Sequence, residues 1–147
     1  MWEAGHRGPV CARGPGVIAA GEKCERTTAH VDLFATCAEI ARAELPGDAA
    51  EDSFSWLPLF KGGDWSRPRA PVINHSASGI FALRSGKWKL IAGNGSGGRQ
   101  APKGRLFQKP FMLFDLQADL GEKNDLAEAK PELVEELTVK LEAVRSK

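Results

Sequence analysis

The chain of 147 residues lacks any long hydrophobic run. No stretch approaches the roughly 18 consecutive apolar residues that a membrane-spanning helix needs, so the sequence predicts no membrane segment. The first sixteen residues, MWEAGHRGPVCARGPG, hold no apolar core of the kind found in a signal peptide. The location is therefore unknown from this chain. A hydrophobic content of 42% and a charged content of 27% are typical of a globular protein.

An excess of either charge is also lacking. Twenty Lys and Arg residues oppose nineteen Asp and Glu residues, and a net charge of +1 predicts no nucleic-acid or acidic partner. Cysteine is scarce, with Cys11, Cys24 and Cys37 at intervals of 13 residues. This spacing fits no zinc motif, and an odd count leaves one thiol over in any disulfide scheme. We interpret the three as small buried hydrophobic side chains.

The first third of the chain carries the pattern of one short strand and one helix. Residues 9–12 are a brief apolar run between Gly-Pro turn signals and predict the strand. Apolar residues then recur at intervals of three and four, which indicates one helix face: Leu33, Phe34, Cys37, Ile40 and Ala41. We expect Asp32 or Thr28 to cap this helix and Pro46-Gly47 to end it.

The second half of the chain changes to a strand pattern. Four strands are predicted within residues 71–75, 79–86, 87–93 and 111–116. The Ser85-Gly86 pair suits a primed two-residue turn between the second and third strands. A helix starting at Pro131 follows, with the apolar stripe Leu133, Leu137, Leu141 and Val144. This stripe is expected to cover one face of the antiparallel sheet.

Residues 93–104, GNGSGGRQAPKG, form a glycine-rich loop that invites a phosphate-binding interpretation. A phosphate loop needs Gly-Lys-Ser/Thr opening a helix, whereas a strand follows here. We interpret the segment as a flexible connection, with a substrate loop as the alternative, in which Arg99 would be the candidate contact.

These elements predict an α+β or α/β fragment in three parts. Residues 1–48 supply one strand and one helix, which are too little to enclose a core and so look like the end of something larger. Residues 49–70 supply a linker with a short helical turn. Residues 71–147 supply a small four-stranded antiparallel sheet covered by the C-terminal helix.

Five segments, in order over nearly the whole chain, carry a family pattern. They are WEAGHRGPVCARGPGVIAAG (2–21), HVDLFATCAEIA (30–41), SWLPLFKG (55–62), HSASGIFALRSGKWKLI (75–91) and LFDLQADLGEKNDLA (113–127). Together they resemble the C-terminal part of a formylglycine-dependent sulfatase of the arylsulfatase type, in the alkaline-phosphatase-like superfamily. The first departs from the family's Trp/Tyr-Glu-Gly-Gly at Ala4.

The resemblance implies a parent enzyme that hydrolyses sulfate esters of a sulfated carbohydrate or an aryl sulfate. It also implies that residues 1–48 are the last strand and helix of that enzyme's catalytic α/β domain, here truncated. Its family uses a formylglycine made within Cys/Ser-x-Pro-Ser-Arg, and a calcium ion held by the N-terminal α/β domain; neither pattern occurs here. The family's catalytic lysine lies just before the Trp-Glu segment. We therefore expect a truncated chain that is inactive alone, with no catalytic residue, metal ligand or cofactor of its own. The sulfated small molecule or glycan would bind through the missing domain, and the family is usually periplasmic, secreted or lysosomal.

Four residues are candidates for the rim of the substrate site. His6 and Arg7 follow directly on the position of the family's lysine, so His6 is expected at the rim and Arg7 near a carboxylate or the sulfate. The alternative is a solvated His6 and an Arg7 paired with a buried acid. His75 closes a strand where it can reach a cleft, or is a surface histidine, and Arg99 lies in the glycine-rich loop.

Two alternatives to a sulfatase stay open: a related phosphatase or phosphonate hydrolase, and a non-catalytic binding module made of residues 71–147. A nucleic-acid module is suggested by basic residues beside aromatic ones: Lys87, Lys89, Lys103, Arg105 and Lys109 with Trp88, Phe107 and Phe111. Strand alternation, however, places Trp88 opposite its neighbouring lysines. We interpret them as a buried tryptophan under a solvated basic face, without a nucleic-acid or membrane partner.

Overall fold

The computed structural model describes residues 2–146. They form two compact units, one made of residues 2–9 with residues 71–146 and the other of Val10–Ala70. The two units meet in sequence between residues 9 and 10 and between residues 70 and 71. Residues 2–9, however, group with the C-terminal unit, and residues 49–70 group with residues 10–48.

The unit of residues 10–70 holds two helices, α1 at Asp32–Ala41 and α2 at Leu57–Phe60. The prediction of a strand at residues 9–12 is wrong, because no other segment within residues 2–146 pairs with this backbone. Helix α1 ends earlier than Pro46-Gly47, at Arg42 in the left-handed conformation with φ +55°.

The buried face of α1 differs from the expected one. Leu33, Phe34 and Ile40 are 44%, 56% and 59% exposed, whereas Asp32 and Thr36 are buried. The reason is that the two polar side chains bind the segment of residues 53–56, so hydrogen bonding fixes this face. The assignment of the cysteines as buried is also wrong, because all three are exposed.

The second unit is built on a four-stranded antiparallel sheet, as predicted. Its strands are β1 Val72–His75, β2 Phe81–Ser85, β3 Trp88–Ile91 and β4 Met112–Asp115, in the order β1-β2-β3-β4. The turn between β2 and β3 lies one residue later than expected, at Gly86-Lys87, because Ser85 pairs with Trp88. Gly86 has φ +56°, which the first central position of a II′ turn requires.

Helix α3, Pro131–Arg145, packs on one face of this sheet. Pro131 occupies the start of the helix, where its missing N–H costs no hydrogen bond. Leu137 and Leu141 are buried against Leu83, Leu90 and Leu113, and Trp88 is partly buried beside them. The predicted stripe therefore forms the main core.

The opposite face of the sheet also carries buried apolar side chains: Ile80, Ala82, Ile91, Phe114 and Leu116. Trp2 packs against this cluster, edge to face with Phe114 at 6.2 Å between ring centroids. The N-terminal residues thus lie on the sheet face that α3 leaves open.

The glycine-rich loop is packed tightly, which corrects the expectation of a flexible connection. Ser96 N–H donates to Pro102 O at 2.8 Å, and Gly97 N–H donates to Lys103 O at 2.8 Å. A Cβ on Gly95 would lie 2.4 Å from Pro102 O. Glycine here permits close approach of two backbones rather than mobility.

Candidate functional site

A buried ionic cluster holds the N-terminal Trp-Glu segment on the sheet. Lys89 Nζ lies 2.7 Å from Glu122 Oε1 and 3.2 Å from Glu3 Oε2, and the Lys89 side chain is only 3% exposed. The other oxygen of Glu3 lies 3.2 Å from Arg84 Nη1. The backbone N–H of Glu3 donates to Glu122 Oε2. The cluster thus ties together the first residues, the central strands and the loop after β4.

The cluster neutralises two like charges that the strand register places side by side. Arg84 pairs directly with Lys89, so two cations project from the same face of neighbouring strands. Like charges in that position repel each other. Glu3 offers one carboxylate oxygen to each, which neutralises the pair and fixes Glu3 in place. The interpretation of Lys89 as part of a solvated basic face is therefore wrong.

His6 and Arg7 emerge from the turn that Glu3 begins. Their backbone N–H groups donate to Glu3 O at 2.9 Å and 3.0 Å, and both side chains are exposed. Partial burial of the His6 ring lowers its pKa, and the nearby Lys89 ammonium lowers it further. The neutral imidazole, which can accept a proton, is thereby favoured. Arg7 forms no ion pair within residues 2–146, so the alternative of a buried acid partner is not seen there.

His75 and Arg99 lie at the other end of the sheet. His75 pairs with Phe81, stacks edge to face on its ring, and approaches Ser76 O with Nδ1 at 3.1 Å. The glycine-rich loop that bears Arg99 joins this end, because Ser78 Oγ donates to Gly97 O at 2.6 Å. Both candidate side chains are exposed.

The four candidates therefore fall into two pairs. Phe81 and Arg84 are three residues apart on β2, about 10 Å along the strand, and they point to opposite faces of the sheet. His75 lies beside Phe81, whereas His6 lies near Lys89, the partner of Arg84. The structure does not gather the four into one constellation.

The sequence did not reveal the role of Asp32 in the other unit. Its carboxylate is fully buried and accepts from the backbone N–H of Ala29 and Phe54 at 2.8 and 3.0 Å. It also accepts from Trp56 Nε1 at 3.0 Å and Arg69 Nη1 at 2.9 Å. Four donors satisfy a carboxylate, so Asp32 organises the fold rather than capping α1 or acting as a base. Its partners Trp56 and Arg69 lie 24 and 37 positions further along the chain, and no regular spacing in the sequence connects them to Asp32.

A groove of about 720 Å³ lies within the unit of residues 10–70. Its walls include Cys11, Cys24, Trp56 and Phe60, with acidic and basic residues interspersed. It brings together none of the four candidates named from the sequence.

Calcium is the metal that the sequence resemblance implies. Among residues 2–146, no group of three or more His, Cys, Asp or Glu side chains is placed to hold a metal ion. The residues described therefore do not fit a calcium site. No helix among them is long and apolar enough to cross a membrane.

Curated relatives of the chain are sulfatases. An N-acetylgalactosamine-6-O-sulfatase of Bacteroides thetaiotaomicron is 31% identical over 153 residues, which cover 99% of this chain and 29% of the relative. Human steryl-sulfatase is 30% identical over 162 residues, covering 97% of this chain and 28% of the relative. The chain thus spans under a third of the length of these relatives. No protein-family model matches it.

Solved structures share the fold. One from work on the metabolism of multiple glycosaminoglycans by Bacteroides thetaiotaomicron is 33% identical, with a TM-score of 0.63 over 79% of this chain and 24% of that one. A protein solved with its substrate D-glucosamine-2-N,6-O-disulfate is 21% identical, with a TM-score of 0.62 over 89% and 28%. Phosphonate monoester hydrolase of Agrobacterium radiobacter is 17% identical, with a TM-score of 0.53 over 78% and 24%. The last two show the fold alone.

The antiparallel sheet, the C-terminal helix that covers it and the curated relatives all indicate the same class of protein. The chain belongs to the sulfatases, as a sulfatase C-terminal region, which is consistent with the alkaline-phosphatase-like superfamily.

Proposed function

We propose that this chain is the part of a sulfate ester hydrolase that supports the rim of its active site. The observation that carries the proposal is the ionic cluster of Glu3, Arg84, Lys89 and Glu122, which fixes the Trp-Glu segment on the sheet. In the resembling family this segment follows the catalytic lysine. A rigid anchor here would hold His6 and Arg7 at a constant distance from the reacting sulfate.

His6 is the rim residue best supported by its surroundings. Its backbone is tied to Glu3, its ring is exposed, and its lowered pKa favours the neutral form. A neutral imidazole can donate a hydrogen bond to a sulfate or sugar oxygen through one nitrogen and accept a hydroxyl proton at the other. His75 and Arg99 lie at the other end of the sheet and would contact a more distant part of a substrate.

We propose a sulfated carbohydrate as the substrate of the complete enzyme, with an aryl sulfate as a simple surrogate. One relative supports this choice by its name, N-acetylgalactosamine-6-O-sulfatase, and one fold neighbour was solved with a disulfated glucosamine, whereas human steryl-sulfatase names a different substrate. The phosphonate hydrolase is a weaker precedent, because its 17% identity supports a common fold only. Calcium and formylglycine would be supplied outside residues 2–146.

A chimera tests the proposal. The portion of the Bacteroides N-acetylgalactosamine-6-O-sulfatase that precedes its matched region is joined to this chain, and hydrolysis of 4-nitrocatechol sulfate is measured. We expect turnover by the chimera and none by the 147-residue chain alone. In the chimera, His6→Ala should reduce kcat/KM by a factor of about ten or more.

Two results would contradict the proposal. One is turnover of the aryl sulfate by the 147-residue chain alone. The other is a folded, calcium-loaded chimera without sulfatase activity. Unchanged kcat/KM in the His6→Ala chimera would remove only the assignment of His6.

A further inference from the structure

The charge of the second unit is unevenly distributed along the chain. Residues 71–114 contain seven Lys or Arg residues and no Asp or Glu, although the whole chain has a net charge of only +1. Three of the seven are neutralised by acids from elsewhere: Arg84 and Lys89 by the buried cluster, and Lys87 by Asp115 at 2.6 Å.

The other four cations lie together on the loop between β3 and β4. They are Arg99, Lys103, Arg105 and Lys109, and we call the segment of residues 99–109 that carries them the basic loop. All four are exposed, and none forms an ion pair within residues 2–146. Four unneutralised cations on 11 consecutive residues make a concentrated positive surface.

The backbone beneath these side chains is fixed. Gly93 and Leu106 form a β-bridge, and Arg105 N–H donates to Asn94 Oδ1 at 2.9 Å. Gly95 approaches Pro102 and Gly104 so closely that any Cβ would meet their backbones. A preorganised loop presents its charges without the entropy cost of ordering on binding.

The aromatic residue of the basic loop is already engaged. Phe107 packs between Phe81 and Phe111, with centroids at 6.1 and 6.5 Å, and the Arg145 guanidinium lies 4.4 Å from its ring. Single-stranded nucleic acids are held largely by stacking of bases on free aromatic faces. The surface therefore offers charge without stacking, which suits sulfate groups spaced along a sugar polymer.

We propose that the basic loop binds a sulfated polysaccharide chain. It would hold a stretch of the polymer by its sulfates while the bond being hydrolysed lies elsewhere. The choice of a sulfated glycan rests on the proposed function. The site itself rests on the four exposed cations and the fixed loop.

The test measures binding of the full 147-residue chain to chondroitin sulfate oligosaccharides by calorimetry at low and at physiological salt. The loop variant is R99Q/K103Q/R105Q/K109Q. The matched control, R13Q/K23Q/K61Q/K123Q, removes the same charge from exposed residues elsewhere. Circular dichroism establishes that both variants are folded. Chemically desulfated chondroitin and single-stranded DNA of similar length serve as ligand controls.

We expect the loop variant to bind the sulfated oligosaccharide about tenfold more weakly or worse, and to lose most of the salt dependence. The control variant and the wild type should agree within about twofold, and desulfated chondroitin, which keeps only its carboxylates, should bind about tenfold more weakly or worse than the sulfated form. Equal weakening in both variants, or equally tight binding of the DNA, would overturn the inference. Absence of any binding would also overturn it, while the sulfatase chimera would still report separately on the proposed function.

Discussion

Lys89 Nζ lies 2.7 Å from Glu122 Oε1, and both side chains are only 3% exposed. An ammonium and a carboxylate withdrawn from water lose their hydration, and their mutual attraction offsets that loss only while both are present. Glu3 adds a second carboxylate to the same ammonium. Lys89 is therefore the shared cation of this cluster, and the stability of the unit and the position of its first residues depend strongly on it.

Replacing that lysine should destabilise the unit strongly. Lys89→Met keeps much of the side-chain volume but leaves the carboxylates of Glu3 and Glu122 without their shared cation. We expect a loss of about 3–5 kcal/mol in the free energy of unfolding, measured by urea denaturation. Lys140→Met is the control, because it removes only an exposed pair with Glu136 and should cost about 0.5 kcal/mol or less. Similar losses in both variants would contradict the central role of the buried cluster.

The Asp32 carboxylate should be equally critical in the other unit. Asp32→Asn keeps the shape but replaces one acceptor oxygen by a donor. That donor faces the N–H groups of either Ala29 and Trp56 or Phe54 and Arg69, depending on which oxygen is replaced. We expect a loss of about 2 kcal/mol or more, because buried donors are left without an acceptor. Asp64→Asn, which weakens an exposed pair with Arg26, is the matched control and should cost about 1 kcal/mol or less. An unfolding midpoint unchanged in Asp32→Asn would show that the carboxylate is dispensable.

The lowered pKa of His6 predicts how stability depends on pH. Between the folded pKa and 6.5, the unfolded state binds more protons than the folded state, so the free energy of unfolding rises with pH across that interval. At lower pH the penalty is present in full, and above 6.5 it has vanished. His6→Gln should flatten this part of the profile, and a titration of the wild-type imidazole by NMR should give a pKa below 6.5. A measured pKa above that value would contradict the assigned influence of burial and Lys89.

Sequence patterns predicted the elements whose burial is apolar. The strands β1–β4 and helix α3 follow from alternation and from the stripe through Leu137 and Leu141, since hydrophobic contact imposes those periods. Helix α1 was located correctly, but its buried face was not, because Asp32 and Thr36 are held by hydrogen bonds to residues far along the chain. Such partners have no fixed spacing in sequence.

The candidate site shows the same limit. Alternation of Lys89 with Trp88 predicts a solvated lysine. In the structure, however, Glu3 and Glu122, which lie 86 and 33 positions away in sequence, neutralise Lys89. His6 and Arg7 are proposed from resemblance to a family, and residue pattern alone gives no reason to place His6 near Lys89. Contacts between charged residues that are distant in sequence determine where Glu3 is held and which residues surround it.

The glycines of the loop before β4 provide the last prediction, since their roles differ although their sequence surroundings are alike. A Cβ on Gly95 would lie 2.4 Å from Pro102 O, whereas a Cβ on Gly98 would meet nothing nearer than Ser96 O at 4.0 Å. Gly95→Ala should therefore force the two backbone segments apart and expose the amides of Ser96 and Gly97 to solvent. Hydrogen exchange should show those amides losing protection in Gly95→Ala and keeping it in Gly98→Ala. Equal protection in the two variants would mean that the loop is not held by the close approach of its backbones, and the fixed platform for the basic loop would be lost with it.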